Sequence, residues 1–148
     1  MEPSAVVILA DDLIWSTRLA DFVRRADRRA TVVRTVPALA AALPEATDVI
    51  IDLTSRTYDG VSAVEIAARG GHRVLCVAQH DDITLRKRAI GAGADRVYAY
   101  RLLAERGAET MRTWLAHGIS VTAAGTAADA EPAPGFAPEP ARPAEGDA

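Results

Sequence analysis

Two adjacent aspartates, Asp11 and Asp12, and a third, Asp52, are the side chains of this sequence best suited to chemistry. Each set follows a short apolar run: Ala5-Val6-Val7-Ile8-Leu9 before the pair, Val49-Ile50-Ile51 before Asp52. Carboxylates gathered at one place repel and need a compensating charge. A hard divalent cation such as Mg²⁺ supplies it, because it takes carboxylate and carbonyl oxygens as ligands. A carboxylate beside such an ion can act as a nucleophile toward phosphorus. The ion also neutralises charge on the group being transferred. A single aspartate at the end of an apolar run is more often a helix cap or a solvated group. Three at one topological position weigh against that reading.

That common position depends on the elements that carry the residues. The run 5–9 is continuous and rich in β-branched residues, as in a strand buried on both faces. Leu19, Phe22, Val23 and Ala26 then repeat at helical spacing. Thr31-Val32-Val33 reads as a second strand, and Val36, Leu39, Ala40 and Leu43 as a second helix with Pro37 in its first turn. Val49–Ile51 is a third strand. A helix over Ser62–Arg69 stops at Gly70-Gly71. Arg73–Ala78 is a fourth strand, and Asp82 caps a helix to about Ala89, closed by Gly91 and Gly93. Val97-Tyr98-Ala99 is a fifth strand, and Ala108, Met111 and Leu115 mark a last helix ended by Gly118. Five βα units in succession predict an α/β, flavodoxin-like (βα)5 doubly wound parallel sheet with strand order 2-1-3-4-5. Ligands of such sheets lie at the carboxyl ends of the strands, beside the switch point between strands one and three. Asp11-Asp12 and Asp52 fall there.

The segment Asp48-Val49-Ile50-Ile51-Asp52-Leu53, followed by Asp59-Gly60 with the glycine eight positions after Asp52, resembles the phosphoacceptor region of response-regulator receiver domains (CheY-like). Asp11-Asp12 resembles that family's metal-binding pair. The run Val74–Ala78 with Gln79-His80-Asp81-Asp82, and Gly91-Ala92-Gly93-Ala94-Asp95, resemble its fourth strand and the turn before its fifth. The resemblance covers residues 5–117. It implies Asp52 as phosphoacceptor, and Mg²⁺ held by Asp11, Asp12, Asp52 and the backbone carbonyl of Thr54. It implies a histidine kinase or another phosphodonor as one partner. A downstream protein or a second copy would bind the face made by the fourth helix, fifth strand and fifth helix. Arg86, Tyr98 and Arg101 are expected to be exposed on that face.

Three positions depart from the family pattern. Ala78 stands where a Thr or Ser hydroxyl is usual and has no donor. Tyr100, followed by Arg101, stands where a Lys is usual. Val97 stands where an aromatic ring usually switches rotamer. Arg56, His80 and Arg101 are the side chains that could replace the missing positive charge.

Composition limits the remaining options. A net charge of −3 and a pI near 5.6 argue against a nucleic-acid partner. Arg24-Arg25 and Arg28-Arg29 read as a solvated helix end. No apolar stretch approaches a membrane span, no signal peptide is evident, and a cytoplasmic location follows by default. The single cysteine, Cys76, lies in an apolar strand and reads as core. From residue 119 to 148 the chain is Ala/Pro-rich, with prolines at 132, 134, 138, 140 and 143. That stretch predicts a disordered tail after a receiver-like domain over 1–118. The chain thus reads as a signalling protein rather than an enzyme. It is either an atypical single-domain response regulator phosphorylated on Asp52, or a phosphorylation-independent pseudo-receiver that binds proteins.

Overall fold

The computed structural model describes residues 5–124, with side chains described as far as His117. Five strands, β1 (Ala5–Leu9), β2 (Arg29–Val33), β3 (Asp48–Asp52), β4 (Arg73–Ala78) and β5 (Arg96–Ala99), form one sheet. It is parallel throughout, in the order β2-β1-β3-β4-β5. This is the predicted α/β flavodoxin-like arrangement. Helices α1 (Leu13–Arg25), α2 (Val36–Ala42), α3 (Gly60–Arg69), α4 (Ile83–Ala92) and α5 (Tyr100–Ala124) follow the strands in turn, with a 3₁₀ turn at Leu43–Glu45 after α2.

β1 and β3 are buried at every residue, as their unbroken apolar runs require. Alternate side chains of the central strands supply two cores. Val6, Ile8, Ile50, Leu75 and Val77 pack under α1 and α5 with Leu19, Leu103 and Met111. Val7, Leu9, Val49, Ile51 and Cys76 pack under α2, α3 and α4 with Leu39, Val64 and Ala89. Cys76 is fully buried, and burial pushes its thiol pKa up, so it is a core residue.

The helix starts are set by local chemistry. Thr35, Asp59 and Asp82 each accept a backbone N–H with the side chain, which caps α2, α3 and α4. Gly91 lies inside α4, and Gly93, in the left-handed region at φ 119°, ends it. A Cβ at Gly107 would meet the Phe22 ring at 2.2 Å, so the absence of a side chain there lets α5 approach α1. Just before it, Arg106 leaves helical geometry (φ −137°, ψ 33°), which breaks α5 after its first turns.

Two sequence expectations are corrected. The last helix does not stop at Gly118 but continues to Ala124, since one glycine among helix-compatible residues costs too little to end it. Residues 119–124 of the tail expected over 119–148 are therefore helical, and the rest of it lies outside the described residues. The face of α4, β5 and α5 is not the exposed mixture expected. Tyr98 is 5% and Arg86 9% exposed, and only Arg101 is open to solvent. Tyr98 points from β5 into the core shared with α1 and α5. Arg86 folds back along α4 so that its Nε donates to the Gln79 carbonyl. Among the described residues no helix is long and apolar enough to cross a membrane.

Candidate functional site

The carboxyl ends of β1 and β3 are neighbours, with Leu9 in register with Ile51. This pairing delivers Asp11, Asp12 and Asp52 to one edge of the sheet, but their side chains take different partners. Asp12 is the N-cap of α1 and accepts the Trp15 backbone N–H at 2.8 Å. Asp11 accepts the hydroxyls of Thr57 at 2.7 Å and Ser55 at 2.9 Å. The Thr57 bond is the largest influence holding the Asp11 carboxyl below the usual aspartate pKa, with Ser55 adding to it.

Asp52, at the end of β3, is 1% exposed. Its Oδ1 accepts the Thr54 N–H at 3.0 Å, the Thr54 hydroxyl at 2.8 Å and the phenol of Tyr100. The hydroxyls of Thr54 and Tyr100 also touch one another, so three oxygens close a triangle. Tyr100 reaches Asp52 because α5 begins at Tyr100 itself, directly after β5. Burial pushes the Tyr100 phenol pKa up, and its bond to Asp52 and the nearby carboxylate charges push it further.

Tyr58 is a residue that sequence reasoning missed. Its phenol donates to the Asp52 carbonyl at 2.7 Å and the Leu9 carbonyl at 3.1 Å. One hydroxyl thereby ties the ends of β1 and β3. Burial, then the charges of Asp52 and Asp11, raise its pKa. A tyrosine in the hydroxyl-rich loop Thr54-Ser55-Arg56-Thr57-Tyr58 was the available signal.

Asp12, Trp15, Asp52, Thr54, Gln79 and Tyr100 line an open cleft of about 280 Å³. The rings of Trp15 and Tyr100 form its aromatic wall, with centroids 4.7 Å apart and planes tilted by 50°. Asp11 is not among the lining residues. Ala78, paired with Ala99, and Val97, paired with Cys76, are both fully buried on β4 and β5 and offer the cleft no polar group. None of the residues that could replace the missing charge bonds Asp52 among the described residues. Arg101 pairs with Glu105 along α5 at 3.6 Å. Arg56 and His80 are exposed and make no hydrogen bond or ion pair to Asp52 among the described residues.

The donors present do not fit Mg²⁺ as they are arranged. Among the described residues no group of three or more His, Cys, Asp or Glu could hold a metal ion. Asp11 is engaged by Ser55 and Thr57, and Oδ1 of Asp52 by Thr54 and Tyr100. Thr54 meets Asp52 through its amide and hydroxyl.

No protein-family model matches the sequence, and no curated protein matches it. Solved structures do. The signal receiver domain of a Luxo repressor protein from Vibrio parahaemolyticus superposes with a TM-score of 0.69 at 14% identity, covering 84% of this chain and 99% of that one. The receiver domain of the TMAO respiratory system response regulator TorR gives 0.67 at 17% identity, over 78% and 98%. A CheY-like response regulator receiver domain protein from Methanospirillum hungatei JF-1 gives 0.60 at 16% identity, over 78% and 98%. The chain has the fold of response-regulator receiver domains.

Proposed function

We propose that this chain is a signalling protein built on the receiver fold that acts by associating with other proteins, without phosphorylation of Asp52. The observation that carries this reading is the Tyr100 phenol on Oδ1 of Asp52. Attack on phosphorus by a carboxylate needs a positive charge to meet the charge on the transferred group. Here a neutral phenol engages the carboxylate. Ala78 offers no hydroxyl, and Arg56, His80 and Arg101 do not bond Asp52. The receiver fold of the similar structures supports a role in response-regulator signalling. The cytoplasm is the compartment that suits this role.

A second reading keeps Asp52 as a phosphoacceptor for a histidine kinase or another phosphodonor, with Mg²⁺ at Asp11, Asp12, Asp52 and the Thr54 carbonyl. It is favoured by one observation, that Asp12 and Asp52 line the same open cleft. It requires Asp11 to leave Ser55 and Thr57. Mass spectrometry after treatment with acetyl phosphate and Mg²⁺ separates the two. The expected result is unmodified protein. A labile phosphoryl group that disappears in Asp52→Asn would establish the second reading instead.

A further inference from the structure

The cleft has a composition that its receiver-like frame does not use. Asp52 lies at its floor and Asp12, exposed, at its rim, so two carboxylates face one space. Among the described residues that line it, none is Lys, Arg or His. Its wall is the Trp15–Tyr100 pair. Carboxylates beside aromatic faces recognise an organic cation: the ring quadrupole attracts the charge, and the acids accept its N–H groups. The Trp15 ring already holds the guanidinium of Arg18, 4.9 Å from its centroid, and an incoming cation would compete with it for that ring. A bare Mg²⁺ ion takes oxygen ligands and would gain nothing from the rings.

The surroundings of the cleft are apolar. Four large hydrophobic side chains are exposed among the described residues, and three of them stand at this edge of the sheet. Leu13 and Ile14, 68% and 67% exposed, lie between the cleft residues Asp12 and Trp15 in sequence. Ile83, 61% exposed, begins α4 four residues after the cleft residue Gln79. Apolar groups around a charged pocket suit a protein segment better than a free small cation.

The geometry points to this cleft as a docking site for a Lys or Arg side chain that a partner protein presents on an apolar segment. The inference rests on the phosphate-independent reading above and gives its association a place and a partner chemistry. The incoming cation meets Asp12 and the face of the Trp15–Tyr100 pair. Leu13, Ile14 and Ile83 cover the flanking apolar residues.

The test uses the full chain, ¹⁵N-labelled, titrated with acetyl-Leu-Arg-Leu-amide and with the same peptide carrying citrulline, which keeps the shape of arginine without its charge. The arginine peptide is expected to shift the Trp15 indole N–H saturably and to bind roughly tenfold more tightly than the citrulline peptide, the scale of a cation–π contact joined to a charge-assisted hydrogen bond. Asp12→Asn, which keeps the α1 cap, should weaken the arginine peptide and leave the citrulline peptide unchanged. Leu13→Ser with Ile14→Ser should weaken both. Self-association of the wild type that Asp12→Asn abolishes would support the site with a second copy as partner. Equal affinity for the two peptides overturns the proposal. So does acetyl-arginine amide binding as tightly as the arginine peptide, because the apolar flanks then contribute nothing. Acetyl phosphate treatment keeps the two readings apart. Phosphorylated protein that still prefers the arginine peptide retires the phosphate-independent reading and keeps the cleft. Unmodified protein without that preference retires the cleft alone.

Discussion

The phenol of Tyr100 donates a hydrogen bond to the carboxylate of Asp52, so the first residue of α5 is tied to the last residue of β3. Tyr100 directly follows β5, which β4 separates from β3, at the edge where β1 and β3 also end. The bond replaces a cation with a neutral donor. It leaves Asp52 buried and hydrogen-bonded, which is a satisfied arrangement without any ligand.

Tyr100→Phe tests the weight of that bond. The ring and its contact with Trp15 are kept, while the donor to Asp52 and the contact with Thr54 are lost. Hydrogen bonds to a charged group contribute about 1.5–3 kcal/mol, and the Thr54 donors to Asp52 remain. The expected loss is about 1–2 kcal/mol in urea melts. Unchanged stability would mean that water replaces the phenol at no cost.

Tyrosine ionisation gives a second check. The chain has three tyrosines, Tyr58, Tyr98 and Tyr100. Burial is the first cause that raises the pKa of each above 10.0, and the Asp52 carboxylate adds to it for Tyr58 and Tyr100. A group whose folded pKa is raised contributes stability that is full below the unfolded value. That stability is lost as pH rises through the folded value. Phenolate absorbance should therefore be absent near pH 10, where free tyrosine is half ionised. It should appear together with the loss of helical circular dichroism. A tyrosine that titrates near pH 10 in the folded protein would contradict the described contacts.

The packing of α5 on α1 rests on Gly107 and Phe22. Gly107→Ala places a methyl group inside the Phe22 ring, and overpacking of this kind costs typically about 1–3 kcal/mol. Phe22→Leu removes part of the ring, so the double variant should recover part of that loss relative to Phe22→Leu alone. Thermal melts of the four proteins measure the coupling. Additive effects would show that the two helices part rather than clash.

Much of this frame was legible because it rests on local chemistry. Arg73–Ala78 is an apolar run opened by one charged residue, and Asp82 is a cap with a helical pattern behind it; both appear where the sequence puts them. The positions of Asp11, Asp12 and Asp52 followed from strand order. What the three carboxylates bond to did not follow, because it depends on hydroxyls 40 or more residues from Asp11 in the chain and on a phenol brought in by β5. Exposure on β5 was also misread. Tyr98 looks amphipathic in sequence, but on a strand covered by helices on both faces its ring has only the core to occupy.

Asp12 carries two opposed effects, and two substitutions separate them. As N-cap of α1 it accepts the Trp15 N–H, and its charge favours the positive end of the helix by about 0.3–1 kcal/mol. As a second carboxylate lining the cleft of Asp52 it meets like-charge repulsion, which salt screens. Asparagine caps as well as aspartate, so Asp12→Asn removes the charge and keeps the hydrogen bond. Its expected stability in EDTA and little salt is a few tenths of a kcal/mol above wild type, and added salt should shrink the gap. Asp12→Ala loses the cap as well and should fall about 1 kcal/mol below Asp12→Asn. Urea melts of the three proteins give both differences. Equal destabilisation by Asn and Ala would show that the carboxylate charge, not the cap geometry, supports α1, and that Asp52 does not repel it. The same melts in millimolar Mg²⁺ bear on the metal. Under the phosphate-independent reading no melt shifts. A rise confined to wild type would be linkage to a bound ion, and the phosphoacceptor reading would then take its place.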